Sequence, residues 1–143
     1  MNPLTILQLD LRAALIYRND ETLTPFACTG LSEERLFCFD LDADQDLSID
    51  PDEAHYLGPL LFAGTLALDP EAVTAPERLE LPQGTYIFAQ VKELLPRDQV
   101  IWMATEVQKE GLWQRLTLEK RLYLRYVVEA EKTITQVFRP YTP

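Results

Sequence analysis

The stretch RLYLRYVVE, residues 121–129, decides the fold that we predict for this chain. Its residues alternate between two sets, which is the period of a β-strand whose two faces differ. One set is Leu122, Leu124, Tyr126 and Val128, and the other is Arg121, Tyr123, Arg125 and Val127. A turn at 130–132 leads into a further strand at 133–139, so the two strands form an antiparallel hairpin.

A strand and a helix precede this hairpin. Residues 85–91 are predicted as a strand and residues 96–110 as a helix. Pro96 suits the first helical turn, Asp98 suits the positive end of the helix dipole, and Gly111 follows the last turn. The C-terminal half is therefore a β-α-β-β unit. We predict an α+β fold with a mostly antiparallel sheet and one main helix.

The N-terminal half gives weaker signals. Residues 5–11 alternate as a half-buried strand does, and residues 13–17 continue that strand through a bulge. Residues 53–64 are predicted as a short irregular helix, which Gly58-Pro59 interrupts. Residues 69–82 hold three prolines and are predicted as a connecting loop. We expect a single domain, 1–143, whose sub-halves 1–68 and 80–143 are joined by that loop.

The charge of the chain is concentrated in one region. Residues 36–77 contain ten acidic residues and no Lys or Arg, whereas the other residues hold thirteen acids and thirteen bases. The net charge of −10 therefore belongs to that region. Such a field disfavours a nucleic-acid backbone as a partner and favours a cation or a basic partner. No apolar run is long enough for a membrane span.

The acidic residues in 42–53 have the spacing of calcium ligands. In this frame the candidate ligands are Asp42, Asp44, Asp46, Ser48, Asp50 and Glu53. The stretch resembles an EF-hand calcium loop, Asp-x-Asp-x-Asp-x-x-Ile-x-x-x-Glu, which binds calcium through oxygen atoms. It departs from that loop at Leu47, where the sharp turn requires Gly. Calcium is thus the one cofactor that the sequence suggests.

A β-hairpin explains the same residues without a metal. Phe37 and Phe39 alternate with polar positions, a turn follows at 43–46, and Leu47 and Ile49 alternate on the way back. Asp50 then caps the predicted helix at 53–64, with Pro51 at its first position. The two explanations overlap, because a hairpin tip that carries three aspartates would still bind a cation weakly.

No catalytic constellation is apparent. His55 is the only histidine, and Cys28 and Cys38 lack the spacing of a zinc site or a disulfide framework. The five glycines form no phosphate-binding loop. We therefore expect a protein that is not an enzyme, and paired carboxylates are the least supported source of chemistry. The N-terminus lacks a signal peptide, so we expect a cytoplasmic protein.

The sequence Pro82-Gln-Gly84-Thr-Tyr86 opens the strand at 85–91. This motif and the β-α-β-β order resemble one half of the gyrase-inhibitor-like (GyrI) ligand-binding domains, over residues 80–140. The resemblance implies a cleft between two such halves that holds a small molecule. The first half does not repeat the unit clearly, and no counterpart of the acidic pocket residue of those domains is present. No site residue is carried over.

Two kinds of binding function follow as expectations. The first is a non-enzymatic binding or interaction protein with a weak or structural calcium site, whose partner is another protein or a second copy of the chain. Tyr123 shares a strand face with Arg121 and Arg125, and this mixture is typical of interface hot spots on an outer face. The alternative is a small-molecule-binding domain that uses an aromatic sheet face. That face would draw on Tyr86, Phe88, Trp102, Trp113, Tyr123, Tyr126 and Phe138.

Overall fold

The computed structural model describes residues 4–17, 35–40, 60–67, 78–129 and 132–142. Within these ranges the chain forms nine strands and one helix, which confirms an α+β fold with a mostly antiparallel sheet. The elements are β1 (Thr5–Leu11), β2 (Ala14–Tyr17), β3 (Arg35–Asp40), β4 (Leu60–Ala67), β5 (Arg78–Leu81), β6 (Gly84–Val91), α1 (Arg97–Trp113), β7 (Thr117–Leu118), β8 (Arg121–Glu129) and β9 (Lys132–Thr142). No helix within the described ranges has the length and apolar character needed to cross a membrane.

Two pairs of strands act as two long bent strands. Leu11 lies opposite Gly84 and Ala14 lies opposite Leu81, so β1–β2 and β5–β6 keep a single register across their interruptions. Both interruptions also shift the alternation by one residue. Leu11 and Ala14 are three residues apart and Leu81 and Tyr86 are five apart, yet all four belong to one cluster of apolar side chains. The two strands therefore bend together at this point, as the predicted bulge after β1 requires.

The sheet closes on itself. From β1–β2 the antiparallel pairings lead to β5–β6, then to β9, β8, β3 and β4. The ring is completed where β4 pairs with β2, with Ile16 opposite Leu66. Six strands thus surround a common interior, and α1 packs against the outside. The closed form buries one whole set of alternating side chains that an open sheet would leave to water.

The order of strands in the ring has an internal two-fold relationship. Exchanging β1–β2 with β5–β6, β3 with β8, and β4 with β9 leaves every pairing in place. The C-terminal half is the predicted strand, helix, strand, strand unit, with the short strand β7 added after the helix. The N-terminal half supplies three strands in the equivalent positions of the ring.

Alternation along each strand separates two faces. The face toward α1, here called the helix face, carries Phe37, Phe39, Ile87, Ala89, Val91, Leu122, Leu124, Tyr126 and Val137. The helix covers them with Val100, Ile101, Met103, Ala104 and Val107. The other face, here called the interior face, carries Ala14, Ile16, Leu36, Cys38, Leu81, Tyr86, Tyr123 and Phe138, with Leu11, Phe62, Leu79 and Phe88 partly buried beside them.

Helix α1 is longer than predicted. It runs to Trp113 rather than ending before Gly111, because Gly111 lies inside the last turn and is buried against Leu118. Arg115 then closes the helix with a positive φ of 59°. Leu116 N donates to Gly111 O at 2.9 Å and Arg115 N donates to Leu112 O at 3.2 Å, which is the hydrogen-bond pattern of a Schellman motif.

The buried side chain of Arg139 connects the helix to the sheet through hydrogen bonds. Arg139 of β9 is 6% exposed, and its Nε donates to Glu119 O at 2.9 Å. Its other nitrogens donate to Glu119 O and to Oε1 of Gln108 on α1. Burial lowers the pKa of Arg139 to about 10, so the side chain is still a cation at neutral pH. The planar guanidinium thus joins α1 and the turn before β8 to the sheet.

Two predicted segments differ from the structure. The helix expected over 53–64 is wrong at 60–64, where the chain forms β4 between β3 and β2. The loop expected over 69–82 is wrong at 78–81, which form β5. In β5, Leu79 and Leu81 reach the interior face while Glu80 is exposed, which is the alternation of a half-buried strand. Both segments are strands because their backbones pair with neighbouring strands: β4 pairs with β3 and β2, and β5 pairs with β2.

The predicted acidic hairpin lies mostly outside the described residues, and only its first strand is observed, as β3. Phe39 of β3 pairs with Leu60 of β4 on one side and with Leu122 of β8 on the other. Both edges of β3 are therefore occupied at Phe39, and the return strand of the hairpin stays a prediction. Residues 41–59 follow β3 and precede β4, and they lie outside the described residues.

Candidate functional site

Four aromatic rings form a stack on the interior face. Phe138 of β9 lies at its centre, because its ring is stacked on Tyr123 with centroids 5.3 Å apart and planes at 17°. Phe88 stacks on Phe138 as well, at 5.7 Å and 26°, and Tyr86 meets Phe138 edge-on at 5.8 Å. The stack arises because Phe88, Phe138 and Tyr123 lie opposite one another on β6, β9 and β8.

The two tyrosine hydroxyls of this stack differ in their partners. Tyr86 is 1% exposed, and its hydroxyl donates to Pro82 O at 2.5 Å, at the bend between β5 and β6. Tyr123 is fully buried, and its hydroxyl has no hydrogen-bond partner among the described residues. The guanidinium of Arg121 approaches this hydroxyl closely enough to affect its ionisation, but the contact lacks hydrogen-bond geometry.

Both phenols are held in their neutral form. Burial raises the pKa of Tyr123 to about 12, the Cys38 thiol adds to the rise, and Arg121 offsets part of it. Burial raises the pKa of Tyr86 as well, with Tyr123, Glu119 and Cys38 acting in the same direction. At neutral pH, therefore, Tyr123 presents a hydroxyl that both donates and accepts a hydrogen bond.

A second polar group, the side-chain amide of Gln136, lies two residues from Phe138 on the same face of β9. Gln136 is 8% exposed, and its Nε2 donates to Oε1 of Gln90 at 2.9 Å. Its own Oε1 has no hydrogen-bond partner among the described residues. Gln136 lies opposite Arg125 of β8, which is half-buried. The interior face thus combines an aromatic stack with one unsatisfied hydroxyl and one unsatisfied carbonyl.

This arrangement combines stacked aromatic rings with polar atoms at fixed positions. Aromatic faces hold planar groups by stacking, and a few fixed polar atoms orient them. Because burial raises the pKa of both tyrosines, each phenol is a neutral hydrogen-bonding group and not a base at neutral pH. Arg121 and Arg125 are two charged residues that the alternation of β8 assigns to this face.

The structure separates the aromatic residues that the sequence grouped together. Tyr86, Phe88, Tyr123 and Phe138 meet on the interior face. Tyr126 lies on the helix face instead, where its hydroxyl donates to Leu95 O at 3.4 Å. Trp102 of α1 packs at the margin of the helix-face core, and Trp113 is 85% exposed at the end of the helix.

The expectation of an outer, partner-binding face at Tyr123 is wrong. Tyr123 shares its side of β8 with Arg121 and Arg125 as predicted, but that side faces the interior and Tyr123 is fully buried. Alternation alone does not distinguish an interior face from an outer one. Closure of the sheet is what encloses this side chain.

The candidate calcium ligands lie outside the described residues. They are Asp42, Asp44, Asp46, Ser48, Asp50 and Glu53, and the same holds for His55 and Cys28. Within the described ranges, no group of three or more His, Cys, Asp or Glu side chains is arranged to hold a metal ion. Cys38 is a buried thiol on the interior face, and it forms no disulfide within the described residues.

Gln90 and Gln136 were missed as site residues, although the sequence holds a signal for each. Gln136 occupies the same alternating set as Ile134 and Phe138, and Gln90 occupies that of Tyr86 and Phe88. A polar residue at an apolar position of a strand indicates a buried polar contact. The pairing of β6 with β9 then makes the two glutamines neighbours.

No protein-family model matches this sequence, and no significant match to a curated protein was found.

Proposed function

We propose that this chain is a non-enzymatic binding protein that holds a small planar molecule on the interior face of its closed sheet. The observation that carries the proposal is the fully buried Tyr123 hydroxyl without a hydrogen-bond partner among the described residues. A buried hydroxyl left unsatisfied costs about 1–3 kcal/mol. A bound molecule that supplies the missing hydrogen bond removes this cost, and water is the alternative partner.

The polar atoms around Phe138 limit the chemistry of the ligand. Tyr123 lies opposite Phe138, and Gln136 lies two residues before Phe138 in β9, a spacing of about 7 Å. A ligand that satisfies both sites carries a hydrogen-bond donor for Gln136 Oε1 and a polar group for Tyr123 at its other end. Its flat body would stack on Phe88, the partly exposed ring of the aromatic cluster. Since Arg121 and Arg125 belong to this side of β8, the favoured ligand is neutral or anionic.

The two-fold order of strands supports the same function. The resemblance of residues 80–140 to gyrase-inhibitor-like domains implies a ligand held between two related halves. In this chain the three strands of the N-terminal half occupy ring positions equivalent to those of the C-terminal half. The aromatic stack is built mainly by β6, β8 and β9, whereas β2 and β3 close the opposite side of the same interior.

Fluorescence anisotropy with three planar probes of similar size tests the proposal. Coumarin carboxylate is the anionic probe, aminocoumarin the neutral one and proflavine the cationic one. We expect the first two to bind more tightly than proflavine. Tyr123→Phe should weaken their binding about fivefold, the loss of one hydrogen bond, whereas Tyr126→Phe on the helix face should leave it unchanged. Equal affinities of Tyr123→Phe and the unaltered protein would overturn the assignment.

A calcium site at residues 42–53 is the second candidate, and the ligand spacing in the sequence supports it. The stretch lies in the connection between β3 and β4, and that connection carries most of the acidic residues of the region 36–77. Millimolar calcium should raise the melting temperature, and Glu53→Gln should abolish the rise. An unchanged melting temperature in calcium would count against the site.

The remaining parts of the proposal concern partners and location. The net charge of −10 supports a partner other than nucleic acid. We propose a cytoplasmic location, which the reduced state of the Cys38 thiol supports, because reduced cysteines are usual in that compartment.

A further inference from the structure

Solvent reaches the interior face beside β1. Leu7 of β1 lies opposite Phe88 of β6, and Phe88 lies opposite Phe138 of β9, so the three side chains share this face. Exposure falls along the row that they begin. Leu7 is 49% exposed, Phe88 is partly buried, Phe138 is 3% exposed and Tyr123 is fully buried. A molecule that approaches from β1 therefore meets Phe88 as the first ring of the aromatic stack.

A row of polar side chains crosses the sheet next to this ring. Thr5 of β1 lies opposite Gln90 of β6, and Gln90 lies opposite Gln136 of β9. Gln90 follows Phe88 by two residues, so the polar row and the aromatic row are about 7 Å apart on one face. Thr5 is exposed and Gln90 is partly buried, whereas Gln136 is 8% exposed. The polar row thus leads from solvent to a buried amide.

The two amides of this row offer one acceptor and one donor to a ligand. Nε2 of Gln136 donates to Oε1 of Gln90 at 2.9 Å, and this bond orients both planar groups. Oε1 of Gln136 is then an acceptor that is buried without a hydrogen-bond partner among the described residues. Nε2 of Gln90, on the partly buried side of the same bond, is a donor. The complementary group is an amide, which carries an N–H and a C=O side by side.

Charged ligand groups fit the Gln136 carbonyl less well than a neutral N–H does. A carboxylate offers acceptors only, so it would set its lone pairs against those of Oε1. An ammonium group supplies a donor, but Arg125 lies opposite Gln136 on β8 and disfavours a second cation there. A neutral N–H supplies the donor without either penalty.

From these contacts we infer that the ligand is a flat heterocycle of the lactam or cyclic imide class, with an N–H next to a C=O in its ring. The inference rests on the proposed function and names the class of ligand for the same site. The ring stacks on Phe88 beside Leu7. Its N–H donates to Oε1 of Gln136, and its C=O accepts from Nε2 of Gln90.

Two methylated isomers of carbostyril, a flat bicyclic lactam, test the class of ligand. The C-methyl isomer keeps the ring N–H, whereas the N-methyl isomer has lost it, and both are uncharged. In calorimetric titration of the full chain we expect the C-methyl isomer to bind about tenfold more tightly, because the N-methyl isomer gives Gln136 no donor. Equal affinities, with the coumarin probes still bound and weakened by Tyr123→Phe, would overturn the inference alone. Failure of every planar probe to bind would overturn the proposed function with it.

Three variants locate the contacts. Gln136→Leu removes the acceptor, so the two isomers should bind it equally. Gln99→Leu makes the same change on α1, which packs on the helix face, and should keep the tenfold preference. Phe88→Leu removes the ring but keeps an apolar side chain, so it should weaken both isomers by a similar factor and keep their ratio. A preference that is unchanged in Gln136→Leu would place the recognition of the N–H elsewhere and overturn the inference.

Discussion

A Cβ atom on Gly111 would lie 2.7 Å from Cδ1 of Leu118, closer than side chains approach one another. The last turn of α1 can therefore lie against β7 only because residue 111 has no side chain. Alanine has the higher helix propensity, by about 1 kcal/mol, but the clash requires Leu118 or the helix to move. We expect Gly111→Ala to lower the free energy of unfolding by about 1–2 kcal/mol in urea denaturation.

The double variant isolates this contact. In a Leu118→Ala background, Gly111→Ala should cost little further free energy of unfolding, because the clash is removed. Gly84→Ala is the matched control, since nothing lies within 4 Å of its Cβ position. It should change the free energy of unfolding by less than about 0.5 kcal/mol. Equal losses at both glycines would contradict the contact.

Arg115 has a φ of 59° at the end of α1, a conformation in which a Cβ atom is strained. Glycine adopts it without strain and is the usual residue at this position of a Schellman motif. We expect Arg115→Gly to raise the free energy of unfolding by about 0.5–1 kcal/mol. Arg115→Val should lower it, because a β-branched residue tolerates this region least. Urea denaturation of both variants measures the difference, and a stable Val variant would argue against the strain.

The hydroxyls of Tyr86 and Tyr123 should respond in opposite ways to removal. Tyr86→Phe deletes the hydrogen bond to Pro82 O and should lower the free energy of unfolding by about 1 kcal/mol. Tyr123→Phe deletes a buried hydroxyl without a described partner and should raise the free energy of unfolding of ligand-free protein by about 1 kcal/mol. Thermal and urea denaturation give both values. A loss at Tyr123 equal to that at Tyr86 would show that water or another group already satisfies it.

Alkaline pH should destabilise the fold through the same two phenols. Their pKa values lie above the ordinary value of 10.0 in the folded protein, and that of Tyr123 rises to about 12. The unfolded chain thus releases these protons at lower pH than the folded chain does. The stabilisation from the neutral phenols is complete below pH 10 and is lost as the pH rises toward 12. Tyrosinate absorbance and circular dichroism should change together in this range.

The variant with both Tyr86→Phe and Tyr123→Phe provides the control for this titration. It lacks the two buried phenols, so its free energy of unfolding should fall less between pH 10 and pH 12 than that of the unaltered chain. An equal fall in both proteins would assign the alkaline effect to other groups.

Local sequence patterns were sufficient to predict strands that pair with each other and are also close in the sequence. The hairpin of β8 and β9, strand β6, and the bulged strand β1–β2 were predicted because alternation and turn residues report on nearby contacts. Helix α1 was predicted with its end too early, because a glycine after a helix usually stops it. Here Gly111 is required for contact with Leu118, a reason that depends on tertiary packing.

The errors at β4 and β5 have a common cause. Neither segment carries a strong strand pattern, and Pro59 and Pro82 next to them suggested a broken helix and a loop. Both are strands because β2 lies between them and pairs with each. Such pairings join residues about fifty or more positions apart, as Ile16 and Leu66 do, and no local pattern reports on them.

The sequence by itself determined that β8 has two unlike faces, that an antiparallel hairpin follows it, and that the net negative charge lies within 36–77. Only the tertiary structure decided which face is enclosed. Alternation determines which side chains share a face, because successive side chains of a strand point to opposite sides of the sheet. Closure of the ring through β2 and β4 decides that Tyr123 lies inside with Phe138, because closure depends on pairings between distant strands.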